Sequence, residues 1–91
     1  MMQDNTRQNQ TAGGPMFPLM LGAEGERLRI VRVPAGKGIA ERLASMGIQQ
    51  GDVVKVVQNQ GGSLLVQTEA GTRYVLGGGM AHKILCEKES K

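Results

Sequence analysis

A chain of 91 residues is long enough for one small domain with a single core and little to spare. Aromatic residues make up 2% of it, Phe17 and Tyr74 alone, so the core must be built from Val, Leu, Ile and Met. The formal charge is +3, from 11 basic and 8 acidic residues scattered along the chain as on an ordinary solvated surface. A barrel that binds single-stranded nucleic acid stacks bases on aromatic side chains, and two aromatics do not provide such a platform, so no nucleic-acid partner is expected.

One cysteine cannot close an internal disulfide, which points to a reducing cytoplasm. The apolar run "MFPLML" falls far short of the ~20 residues that span a bilayer. It also lacks the basic start and cleavage site of a signal peptide. A soluble protein without membrane insertion is therefore expected.

Residues 1–15, "MMQDNTRQNQTAGGP", are polar and rich in Gln and Asn, a composition that cannot offset the entropy of ordering, so a disordered tail is expected there. The folded part is expected over 16–88, with a charged tail at 89–91. "MFPLMLGAEGE" follows the polar tail, with Leu19 and Leu21 placed to anchor on the core. "RLRIVRV", 27–33, alternates basic and apolar residues as a half-buried strand does, Leu28 and Ile30 inward and Arg27 and Arg29 outward. The alternation slips at Ile30-Val31, where a bulge or the strand's end belongs.

Ile39, Leu43 and Met46 recur at helical spacing and share one face, and Gly47 stands where the helix stops. Gly51 and Asp52 then turn into the β-branched strand 52–58. "NQGG", 59–62, reads as a hairpin loop. It leads into the strand 63–69, with Leu64 and Val66 on one face. Ala70-Gly71 reads as a two-residue turn before the strand 72–77. "GGGMAHK", 77–83, is a tight passage ending in one helical turn, and 83–87 is a last strand with Ile84 and Cys86 on one face.

The pattern predicts a mainly β fold: five short strands and one short helix between the first two, closing into a small, partly open SH3-like barrel. An OB-fold is the competing architecture, but it places its helix between the third and fourth strands.

Five pieces occur in order across 18–86: "PLMLGAEGE", "RLASMGI", "QGDVVKVV", "GGSLLV" and "LGGGMAHKI". On these the chain closely resembles the FeoA family, ferrous iron transport protein A, with a glycine-rich closing segment like that of solitary FeoA-like variants. The resemblance implies an SH3-like barrel in the cytoplasm. It also implies a role in ferrous iron uptake by contact with the membrane permease FeoB, which carries a GTP-binding domain, and no catalytic residues. Metal-dependent repressors use the same fold as a C-terminal domain, but no helix-turn-helix precedes it in this sequence. A general peptide- or protein-binding barrel unrelated to iron, or a metal-sensing domain, is the alternative.

No residue set supports enzyme chemistry, and "GGG" at 77–79 lacks the lysine spacing of a phosphate loop. His82 and Cys86 are spaced as a metal pair, but two ligands fall short of the four of a structural zinc site, and a strand at 83–87 turns Cys86 into the core. No metal site and no cofactor are therefore assigned. The candidate partner-binding residues are Arg42, Met20 and Met80. Arg42 lies off the buried helix face, placed to meet a partner or, as arginine fingers do, the phosphates of a GTPase; the alternative is an exposed arginine that pairs locally, near Glu41 or with Asp52, and has no special role. Met20 and Met80 form an apolar patch if the opening segment packs near the closing bend, a face suited to a partner or to self-association into a homo-oligomer.

Overall fold

The computed structural model describes residues 15–36 and 38–89. Of the expected polar tail, 1–14 lie outside the described residues, as do 90 and 91 of the charged tail. One antiparallel sheet contains β1 (Phe17–Pro18), β2 (Arg27–Arg32), β3 (Val53–Gln60), β4 (Ser63–Thr68), β5 (Arg73–Gly77) and β6 (Leu85–Lys88). A 3-10 turn, Leu19–Leu21, follows β1, α1 (Ile39–Ser45) joins β2 to β3, and α2 (Gly78–Lys83) joins β5 to β6. The strand order is β1-β6-β2-β3-β4-β5, so the sheet stays open, with β1 and β5 at its ends. Six strands replace the five expected, because β1 is two residues long and shows no alternation to read.

The core follows the alternation. Leu28 and Ile30 on β2, Val54 and Val56 on β3, Leu64 and Val66 on β4, Leu76 on β5 and Cys86 on β6 are all buried. Leu19, Leu43, Ile48, Ala81 and Ile84 close over them from the connections. Leu21 does not anchor as expected: it is 66% exposed, because the 3-10 turn directs Leu19 inward and leaves Leu21 outside. The slip at Ile30-Val31 is a bulge, where the β2–β6 register shifts between Ile30 and Arg32. A second shift lies in β3 between Val56 and Gln58.

The end of α1 is a Schellman motif. Gly47, at φ 86°, donates its N–H to Ala44 O at 2.9 Å, and Ile48 donates to Leu43 O at 2.9 Å. These are the bonds that satisfy the last carbonyls of a helix, and Leu43 and Ile48, whose apolar pairing usually accompanies them, are both buried in the core cluster. The turn between β4 and β5 is wider than the two residues expected. Thr68 donates its N–H to Thr72 O at 2.9 Å, so residues 69–72 form the loop. The glycine-rich passage is a full helix, α2, held by buried Ala81 and by packing against the 3-10 turn.

Candidate functional site

Several concavities mark the surface of the described residues, and three of them bear on function. The first, about 590 Å³, is lined by Gly25, Glu26, Arg27, Lys88 and Glu89. Its charges satisfy one another: Arg27 Nε donates to Glu89 Oε1 at 2.8 Å, and Lys88 Nζ stands 3.4 Å from Glu26 Oε2. Glu89 also holds the Arg27 guanidinium above its ordinary pKa, by hydrogen bond and by charge. The second, about 360 Å³, lies between the end of α1 and the β4–β5 loop, with Asp52, Thr68, Glu69 and Tyr74 in its wall. In the first of these the charges are already paired with each other and offer little to a partner.

The third differs in kind. A groove of about 220 Å³ runs between α1 and β5. Ile39, Arg42, Leu43 and Met46 come from α1, Val75, Leu76 and Gly77 from β5, and Met80 from the first turn of α2. The floor is apolar because both elements turn their periodic faces to the core here. Leu43 and Leu76 are buried, and Ile39, Met46 and Met80 are half-buried against them. At the rim Arg42 is exposed, and among the described residues no carboxylate pairs with its guanidinium. On the outer side Val75 is 68% exposed, so an apolar wall faces solvent beside an unpaired cation.

Of the sequence candidates, Arg42 and Met80 come together in this groove. Met20 does not line it. It sits half-buried on the 3-10 turn, where its carbonyl accepts a hydrogen bond from Asn59 Nδ2 at 2.9 Å, and that turn packs against α2. Val75 and Ile39 were not foreseen. Alternation along "RYVLG" carried the signal for Val75: with Leu76 inward, a valine falls on the solvent side.

His82 and Cys86 are separated by the fold, His82 exposed on α2 and Cys86 buried on β6. The Cys86 thiol donates to Phe17 O at 3.4 Å, and its pKa is pushed up to about 12, chiefly by burial and then by the charges of Glu26 and Glu87. Among the described residues no group of three or more His, Cys, Asp or Glu is placed to hold a metal ion. No described helix is long and apolar enough to cross a membrane.

The described residues thus form an open antiparallel SH3-like sheet with an apolar groove between α1 and β5. The FeoA domain model matches residues 17–88, nearly the whole described chain, and the chain belongs to the FeoA family. It is 40% identical over 72 residues to a protein of Methanocaldococcus jannaschii named for Fe(2+) transport, protein A, a match covering 79% of this chain and 87% of that one. Among solved structures, a crystal structure of an iron uptake regulatory protein, FeoA, superposes with a TM-score of 0.75 at 22% identity. That match covers 82% of this chain and all of the other. The FeoA protein of Chlorobium tepidum gives 0.70 at 19% identity, covering 81% of this chain and 71% of that one. A manganese-dependent transcriptional repressor gives 0.72 at 22% identity over 82% of this chain and 37% of its own. At these identities the structures speak for the fold alone.

Proposed function

We propose that this chain is a small cytoplasmic accessory of ferrous iron transport. It acts without catalysis by docking on a FeoB-type permease that carries a GTP-binding domain. Membership of the FeoA family and the relative named for Fe(2+) transport support the iron assignment. The observation that carries docking is the α1–β5 groove, with its apolar floor and, at the rim, an Arg42 that has no carboxylate partner among the described residues. An apolar centre beside a charged rim is how protein interfaces divide affinity from orientation. Arg42 then meets a carboxylate of the partner or the phosphates of its bound nucleotide.

Calorimetry of this chain against the permease's GTP-binding domain, in the GDP form and with a non-hydrolysable GTP analogue, tests the reading. Binding that Arg42→Glu weakens at least about tenfold, the scale of an interfacial charge of ~1.4 kcal/mol or more, is the expected result. Absence of association in both nucleotide states refutes the partnership. Binding that is indifferent to Arg42→Glu and to Met80→Asp moves the docking face elsewhere. GTP turnover measured with Arg42→Ala separates the roles, since only a phosphate-directed arginine changes turnover once the complex is saturated.

A further inference from the structure

β5 ends the sheet, and among the described residues the backbone hydrogen bonds of 73–77 within the sheet run to β4 alone. Which groups face outward follows from the hairpin. Thr68 donates to Thr72 O at 2.9 Å, so Thr68 and Thr72 form a hydrogen-bonded pair, and such pairs alternate with open ones along an antiparallel ladder. Counting back through the register, Val66–Tyr74 and Leu64–Leu76 are bonded, while Gln67–Arg73, Leu65–Val75 and Ser63–Gly77 are not. Arg73, Val75 and Gly77 therefore point their N–H and C=O groups at the open edge. Two of the devices that usually blunt such an edge are missing from β5: it holds no proline and no lysine, and its one charge is drawn back over the sheet, Arg73 Nε donating to Gln67 Oε1 at 2.8 Å.

We propose that two copies of this chain form a two-fold dimer by antiparallel pairing of β5 with β5, centred on Val75. The occupant is a second copy because the strand is its own complement in that register. Val75 pairs with Val75 of the second copy and Arg73 with its Gly77, so the outward groups of both strands are all partnered. The two arginines lie at opposite ends, each across from a glycine, and no like charges meet. Leu65 and Val75 are neighbours across β4 and β5, so on the outer face the dimer builds a continuous row, Leu65–Val75–Val75–Leu65. On the inner face Val66 and Tyr74 continue into Leu76 and Leu64 of the second copy. The 68% exposure of Val75 in the single chain is thereby reduced. This goes beyond the proposed partnership and stands without it. Because Val75 and Gly77 also line the groove, self-pairing and partner docking exclude each other there.

Sedimentation equilibrium of the full chain from about 1 μM to about 1 mM tests the dimer, a range that spans the affinities of modest interfaces. Wild type is expected to dimerise. Val75→Pro removes only an outward donor and leaves the β4 ladder whole, and Val75→Lys sets two like charges face to face across the axis. Both are expected to be monomeric throughout, while Leu21→Lys, at an exposed site outside β5, stays dimeric. A wild type that remains monomeric, or a dimer that survives both Val75 substitutions, overturns the proposal. Should those substitutions unfold the chain, mild oxidation decides. Val75→Cys brings two Cα atoms to ~5.5 Å in the dimer, within disulfide reach. It is expected to cross-link where Leu21→Cys does not, and no cross-link, or equal cross-linking at both sites, counts against the dimer.

Discussion

The Cys86 thiol is both sheltered and costly to ionise. In an unfolded chain it loses its proton near ~8.5, whereas in the fold it keeps it until about 12. Above that lower value the unfolded state binds fewer protons than the native state, so stability falls as pH rises from there toward 12. The denaturation midpoint of the wild type is expected to drop over this range more steeply than that of Cys86→Ala, with urea titrations at several pH values as the measurement. Gly47 makes a different demand. A methyl there meets Thr68 Cβ and Cγ2 at an ordinary 3.5 Å, so space is not the obstacle. The obstacle is the positive φ of 86°, and Gly47→Ala is expected to lose about 1–2 kcal/mol in equilibrium unfolding.

Two neighbouring glycines of α2 respond to the same change with opposite sign. A Cβ on Gly78 comes 2.9 Å from Gly62 O, the carbonyl that already accepts the Gly78 N–H at 2.7 Å. The contact ties the start of α2 to the β3–β4 hairpin, and Gly78→Ala is expected to cost about 1–3 kcal/mol through backbone displacement. Gly79 has nothing within 4 Å of its Cβ position and helical backbone, so Gly79→Ala is expected to gain about 0.5–1 kcal/mol. Chemical denaturation of the pair reads both. The same contrast explains what could be read from the sequence. The helix stop at Gly47, the bulge after Ile30 and the inward faces of β2 and β4 are local events, written in spacing and in residues with strong preferences. β1 could not be read, since two residues have no period and its pairing with β6 joins Phe17 to Cys86 across almost the whole domain. Nor could the length of α2, whose glycines disfavour helix and whose turns are held by tertiary contacts with the 3-10 turn. The groove was half legible. Arg42 and Met80 stood out by type, while Val75 looked like any strand valine until its strand proved to be last in the sheet.

For the whole molecule, the ion pairs that lace β2 to β6 contribute less than their number suggests. Arg27 reaches Glu89 at 2.8 Å and Glu69 at 3.4 Å from an exposed position, where solvent screens both. Glu69→Gln is expected to leave the thermal midpoint unchanged within error, so stability rests on the aliphatic core. The two ends of the sheet are unequal in a way that bears on assembly. One end is two residues long and carries Pro18, which has no N–H to offer; the other is a five-residue strand with its outward groups available. A module with a single adhesive end has a valence of one. It can be satisfied once, by a twin or by another protein, and then has nothing left with which to propagate. Growth into fibres needs two such ends, and among the described residues a single proline has removed one of them.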